Sequence, residues 1–358
     1  MLPLANAARH AGHEIVFATG EESLPLLSSL RFRTHRAGIA IHEGFDELLD
    51  GAPRPSMRER AGQEVARRVF DEVLPKHTVR DLRPLCDEFR PDLLVYGQWD
   101  AGASVVAAQT GVPAVRHAVG RARPLGGGGQ DAVLSAFGVT GTPGDQYLDI
   151  YPPSLQEPSA LGDPRRVMMR PIPWDEPENA LPDWVGGHPG RLIYLTLGST
   201  QNDVRVLKAA IAGLSTVDAD VLVALGPLDP AELGELGERV RVLRWVNQAA
   251  LLRHVDLAVH HGGSGTMLGS LAEGVPQLVL PQRADQFVNA GVIAAAGLGL
   301  SIEPGSVTGA AVAAAAAELA APAYHEAALA TRTEIAGMPA PATVLSRLVA
   351  CLPHPATP

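Results

Sequence analysis

Short apolar runs alternate with helical spacing along this chain. Leu192–Leu197, Val221–Leu225, Val240–Leu243, Leu257–His260 and Gln277–Leu280 read as strands buried on both faces. Asp203–Ala212, Ala249–His254, Thr266–Glu273 and Asp285–Ala296 carry helical spacing between them, with Gly274 and Gly297 as stops. This order predicts a parallel sheet covered by helices, a doubly wound α/β unit. The first half follows the same order more loosely. Leu2–Ala11 is a helix closed by Gly12, His13–Ala18 a strand, and Arg58–Phe89 a helical stretch interrupted at Pro75 and Pro84. Leu93–Tyr96 is a buried strand, Gly102–Gln109 a helix stopped at Gly111, and Val112–His117 a short strand. Two α/β halves in series result, with no short-period repeat.

Prolines recur at short intervals from Tyr151 to Pro189, which excludes a long helix and suits a connection. The expected division is a first domain over 1–165, a Pro-rich linker over 166–189 and a second domain over 190–340. A terminal helix within 341–358, Ala342–Cys351, then folds back toward the first domain.

Composition narrows the classes. A chain of 358 residues exceeds the roughly 250–300 at which one core usually splits. Apolar residues at 46% and charged residues at 19% fit a folded protein rather than a disordered one. The formal charge of −10 disfavours a nucleic-acid binder, which needs clustered Lys and Arg. Cys86 and Cys351 make neither a disulfide framework nor a zinc spacing. The Ala-rich run Ala310–Ala321 is too short to span a membrane and carries Glu318. The opening Met1-Leu2-Pro3-Leu4 has no secretory pattern, so a cytoplasmic location is expected.

Val259-His260-His261-Gly262-Gly263-Ser264-Gly265-Thr266 carries the most chemistry. It leaves an apolar strand, passes through small residues and enters a helix. Glycines permit close backbone approach, and a helix start offers unpaired N–H groups with partial positive charge. Ser264 and Thr266 add hydroxyls and His261 an imidazole, a set suited to a diphosphate. The plainer explanation is a tight turn needing glycine for positive φ. Asp218-Ala219-Asp220 matches a metal-binding D-x-D text but sits in a turn before a strand, where solvated carboxylates are common. His254, His260 and His261 share no metal spacing, and neither a P-loop nor a dinucleotide fingerprint is present.

The surroundings of the loop carry a resemblance. Trp245-Val246-Asn247-Gln248 lies upstream, and Glu273-Gly274-Val275-Pro276-Gln277 and Asp285-Gln286 lie downstream. This stretch resembles the donor signature of GT-B glycosyltransferases that use nucleotide-diphosphate sugars, in the bacterial natural-product branch. Thr196-Leu197-Gly198-Ser199, Gly12-His13-Glu14-Ile15 and Arg170-Pro171-Ile172-Pro173 match the same branch. The resemblance implies two Rossmann-like domains facing a cleft, an acceptor domain first and a sugar-nucleotide domain second. It implies that His261, Gly263, Ser264, Gly265 and Thr266 hold the diphosphate, and that Trp245 and Val246 contact the base, with Gln248 beside them. Asp285 and Gln286 would hold sugar hydroxyls, and Gly198, Ser199 and Thr200 would line the cleft. Taken singly, Trp245 also suits a core aromatic and Asp285 a helix N-cap. Asn247 stands where the family usually has proline.

Two features depart from the family pattern. Relatives open with a central strand and a loop bearing a catalytic His, whereas this sequence begins at the helix that follows them. Either the true start lies upstream or the first domain is rearranged. Relatives also place an Asp after the strand matching Leu93–Tyr96, where Gly97 stands here. Asp100 is the nearest carboxylate and a catalytic candidate, though a cap for the next helix is the favoured reading. His10, His13, His35, His42 and His117 are other bases to weigh. The implied activity is inverting transfer of a deoxysugar from a dTDP- or UDP-sugar to a hydroxyl of a hydrophobic secondary metabolite, with no metal and no cofactor beyond that co-substrate. A degenerate, non-catalytic sugar-nucleotide binder is the alternative, and a homodimer is left open.

Overall fold

The computed structural model describes residues 1–55, 59–122, 129–140, 144–175, 180–198, 203–283 and 285–352. They form two compact units. The first comprises 1–150, 156–169 and the C-terminal segment from 339, and the second comprises 151–155 and 170–338.

The first unit contains α1 (Leu2–His10), β1 (Val16–Thr19), α2 (Leu24–Ser29), β2 (Arg33–Arg36), α3 (Ile41–Leu49), α4 (Arg60–Arg68) and α5 (Leu74–Phe89). It continues with β3 (Leu94–Gly97), α6 (Ala101–Thr110), β4 (Ala114–His117), α7 (Gly129–Ala136), β5 (Gln146–Asp149), α8 (Pro158–Leu161) and β6 (Arg166–Met168). Its strands make two parallel ladders, β1–β2 and β3–β4–β5–β6. Val16 and Ala18 of β1 share one apolar cluster with Leu94 and Tyr96 of β3 and with Leu82, Leu85 and Val106 of the covering helices.

Three expectations change in this unit. Pro75 and Pro84 do not interrupt α5. Pro75 lies in its first turn, where no helical N–H is needed, and Pro84 is on the solvent side, where water can take the carbonyl it frees. A π turn over Val69–Val73 joins α4 to α5. The linker boundary at 166 is corrected as well: Arg166–Met168 is the edge strand, paired with Tyr147–Asp149. Arg166 Nε anchors it by donating to buried Asp149 at 2.6 Å.

The second unit holds β7 (Leu192–Thr196), α9 (Val204–Leu214), β8 (Asp220–Ala224), β9 (Val240–Leu243), α10 (Gln248–Leu251), β10 (Leu257–His260) and α11 (Ser264–Glu273). Then follow β11 (Gln277–Val279), α12 (Gln286–Ala295), β12 (Gly299–Ser301), α13 (Gly309–Glu318) and α14 (Pro322–Gly337). Residues 181–185 belong here too, since Val185 is buried with Leu192, Tyr194 and Leu251. The last helix, α15 (Pro341–Ala350), returns to the first unit, where Val344, Leu345 and Leu348 pack with Leu4 of α1.

The six parallel strands of the second unit run β9-β8-β7-β10-β11-β12. Strand order therefore reverses between β7 and β10, and a crevice opens at their carboxyl ends. Ile193, Leu195, Leu257 and Val259 are fully buried in one core beneath α9 and α13. Burial of each such side chain contributes about 1.5–3 kcal/mol, which fixes the sheet beneath that crevice.

Candidate sugar-nucleotide site

Both ends of the reversal point carry candidate site residues. β7 ends in Thr196, followed by Gly198 at φ +95°, and β10 ends in His260, followed by His261. A Cβ on Gly198 would lie 2.8 Å from His261 Cε1, and one on Gly263 would lie 2.5 Å from His261 Nε2. Glycine at both positions leaves a slot for the imidazole. His261 Nδ1 is buried and has no hydrogen-bond partner. Burial lowers the His261 pKa and Arg283 adds to that, while Asp285 opposes it. The ring is thus neutral at neutral pH, with a polar nitrogen awaiting a partner.

His260 sets the turn before it. Its ring is fully buried, with Nε2 2.7 Å from Gln277 Oε1 and Nδ1 accepting the Gly262 N–H at 2.9 Å. Those partners specify the Nε2–H tautomer. Gln277 Nε2 continues the chain to the Met267 carbonyl at 3.3 Å. Burial pushes His260 down to about 3, with His261 adding to the shift, so it stays neutral. Gly262 sits at φ +90°, and a Cβ there would meet Val279 Cγ1 at 2.9 Å and the Gln286 carbonyl at 3.0 Å.

α11 then begins without a side-chain cap, its N-cap being Gly263. The N–H groups of Ser264, Gly265 and Thr266 form an open first turn, electropositive because its donors have no helical acceptor. Ser264 Oγ accepts from Asn289 Nδ2 at 3.1 Å and donates to Asp285 Oδ2 at 3.4 Å. The Thr266 hydroxyl donates to Gln248 Oε1 at 3.0 Å. That oxygen also takes the Tyr194 hydroxyl at 3.3 Å. Gln248 is therefore a brace for α11, and the Thr266 hydroxyl proton is committed to it while the Thr266 backbone N–H is not.

Asp285 occupies the N-cap position of α12 but makes no capping bond, and it is exposed. The capping explanation for this carboxylate fails on that geometry. Gln286 Oε1 accepts the N–H groups of Gln282 at 2.8 Å and Arg283 at 3.0 Å. With the oxygen committed to the turn, the amide offers its N–H donors. Trp245 is 57% exposed, so it is no core aromatic, while Val246 beside it is buried. The indole borders a cavity of about 340 Å³ lined also by Leu181, Pro182 and Asn247. Asn247, at the family's proline position, caps α10 by accepting from Ala250 N–H at 3.2 Å. Its Nδ2 donates to Asp175 at 2.8 Å. Ser199 and Thr200 lie outside the described residues.

In the first unit, Asp100 is the N-cap of α6 and accepts from Ala103 N–H at 3.1 Å. Burial raises its carboxyl pKa, and hydrogen bonds from Ala103, Thr78 and Gly102 oppose the rise. His10, His13, His35 and His42 are exposed. His117 is buried on β4, with Nδ1 2.5 Å from the Ala118 carbonyl and its pKa lowered to about 4, chiefly by burial. Asp218 forms a surface pair with Arg239 at 2.6 Å. Among the described residues, no group of three or more His, Cys, Asp or Glu could hold a metal ion. No described helix is long and apolar enough to cross a membrane.

Asn289 and Tyr151 were not legible in the sequence, and Gln277 stood in the signature stretch without a role. Asn289 falls one helical turn after Gln286, and that spacing was the only available signal.

Comparison with known proteins agrees with this architecture. The N-terminal domain model described as erythromycin biosynthesis protein CIII-like matches residues 58–198, and the C-terminal model matches 208–351. Elloramycin glycosyltransferase ElmGT of Streptomyces olivaceus is 33% identical over 390 residues, covering 99% of this chain and 94% of that protein. TDP-daunosamine transferase DnrS of Streptomyces peucetius is 28% identical over 97% of this chain and 92% of its own length. The crystal structure of the glycosyltransferase SnogD from Streptomyces nogalater matches with a TM-score of 0.80 and 29% identity, covering 98% of this chain and 95% of that one.

Fold and matches together define an enzyme of the glycosyltransferase type with the GT-B fold. The chain belongs to the erythromycin biosynthesis protein CIII-like family, whose relatives serve antibiotic biosynthesis.

Proposed function

We propose that this enzyme moves a deoxysugar from a thymidine or uridine diphosphate to a hydroxyl of a polycyclic or macrolide aglycone, with inversion at the anomeric carbon. The observation that carries the reading is the open first turn of α11 beside His261, whose buried Nδ1 has no partner. The names of the elloramycin and TDP-daunosamine transferases support a deoxysugar nucleotide and a polyketide acceptor.

The diphosphate sits against the N–H groups of Ser264, Gly265 and Thr266, with His261 donating from its slot. The acceptor oxygen forms a bond to the anomeric carbon as the carbon–oxygen bond to the diphosphate breaks, and the electron pair leaves with the phosphate. The acceptor proton passes to a base. The α11 donors are fixed before the reaction, so they stabilise the leaving charge without reorganising. Asp285 accepts from sugar hydroxyls, Gln286 donates to them through its amide nitrogen, and Trp245 stacks on the base. Asp100, as a helix cap, acts on the first unit's framework.

Calorimetric titration with dTDP and UDP tests the site. Replacing His261 by Ala is expected to weaken binding by ~1.5–3 kcal/mol, the worth of a hydrogen bond to a charged partner. Unchanged affinity in that variant removes the diphosphate from this turn. Product analysis with dTDP-deoxysugars and a panel of polyketide aglycones then tests transfer and anomeric configuration.

A further inference from the structure

Asn289 has a buried amide with three partners. It is 1% exposed; Nδ2 donates to the Gly262 carbonyl at 2.8 Å and to Ser264 Oγ at 3.1 Å. Its Oδ1 accepts from the Tyr151 hydroxyl at 3.0 Å, and Tyr151 is itself fully buried. The Gly262 carbonyl can only accept, so it turns the amide nitrogen to the loop and leaves Oδ1 facing the Tyr151 hydroxyl, which donates to it.

Two consequences follow for the loop. Gly262 is held on both sides, its N–H by His260 Nδ1 and its carbonyl by Asn289 Nδ2. Ser264 Oγ, having one lone pair occupied by Asn289, keeps its proton for another acceptor. In this structure that acceptor is the exposed Asp285 carboxylate, at a long 3.4 Å. An anion at the open first turn of α11 offers a better one, since hydrogen bonds to ionised oxygens are shorter and stronger.

We propose that Asn289, turned by the Gly262 carbonyl and held from behind by Tyr151, is a positioning residue that makes the Ser264 hydroxyl a donor to the diphosphate. Entry of the sugar nucleotide moves that proton bond from Asp285 to the phosphate and frees the carboxylate for a sugar hydroxyl. The inference rests on the reading of α11 as the diphosphate site. Its content is the coupling between Asn289 and Ser264.

A double-mutant cycle on dTDP affinity measures that coupling. Asn289→Ala and Ser264→Ala are each expected to weaken dTDP about ten-fold, the effect of one charge-assisted hydrogen bond. Together they are expected to weaken it no more than about three-fold beyond Ser264→Ala alone, the remainder being the Gly262 contact. Tyr151→Phe, which keeps the ring that fills the core, serves as the second variant. It should weaken dTDP about three-fold in the native background and leave the Ser264→Ala variant unchanged. Additive losses, or full affinity in Tyr151→Phe, overturn the proposal. His261→Ala separates the two levels. If it weakens dTDP while Asn289 and Ser264 act independently, the diphosphate site stands and the positioning role falls. If it leaves dTDP binding intact, the site reading itself fails and this inference with it.

Discussion

Acid should destabilise the second unit through His260. Its imidazole has no exposed surface, and burial holds its pKa at about 3, against ~6.5 for an unfolded histidine. As pH falls through 6.5 the unfolded chain binds a proton that the folded chain refuses. Stability therefore declines from about pH 6.5 downward, at roughly 1.4 kcal/mol per pH unit for this one group. By pH 5 the loss reaches about 2 kcal/mol, a sizeable share of a typical domain's 5–15. The native ring cannot protonate cheaply because Nδ1 already accepts the Gly262 N–H. A second ring proton there would break that bond and set two donors face to face. His260→Asn places an oxygen where Nδ1 stands and has no group that titrates in this range. Urea unfolding at pH 7.5 and pH 5, followed by tryptophan fluorescence in a Trp99→Phe background so that Trp174, Trp184 and Trp245 of the second unit report, gives the difference in stability for each protein. The native chain should lose about 2 kcal/mol more than His260→Asn over that interval. Equal losses would refute the argument, because they would mean that His260 takes up its proton in the folded state as readily as in the unfolded one.

Two further outcomes follow from the same geometry. Trp245→Ala should leave thermal stability nearly unchanged, since the indole is mostly exposed, yet weaken dTDP by ~1–3 kcal/mol through lost base stacking; calorimetry and a melting curve read both. Asp100→Asn keeps an acceptor for the Ala103 N–H, so turnover should remain within about two-fold of native while Asp100→Ala costs ~1 kcal/mol of stability. A large loss of turnover in Asp100→Asn, measured by product formation at saturating substrate, would instead give that carboxylate a chemical role.

The candidate site is legible in the sequence as far as its backbone. The run Leu257–His260 reads as a buried strand from local apolarity and the small residues after His261 as the passage into a helix from backbone freedom, though the helix begins at Ser264, two residues before the sequence placed it. Trp245, His261 and Asp285 were proposed as site residues on the resemblance of their order along the chain to the family signature. The direction of each polar hydrogen was not local information. The Thr266 hydroxyl turns to Gln248, and Gln286 spends its oxygen on the turn at Gln282 and Arg283. Those choices depend on which partners the fold brings near, and the partners lie on other elements.

Similarly, proline spacing marked where the chain passes between units, but only strand pairing put Arg166–Met168 in the first unit's sheet. Tyr151 and Asn289 stand 138 positions apart, and nothing in either neighbourhood announces the other. The sequence by itself determined the buried strands of the second unit and the turn after His260, since torsional preference and apolar burial act over a few residues, while the short strands at Arg33–Arg36, Gln146–Asp149, Arg166–Met168 and Gly299–Ser301 carried no such local pattern. Tertiary structure alone decided which lone pair meets which proton at the candidate anion site, since a hydrogen bond is set by position and angle in space.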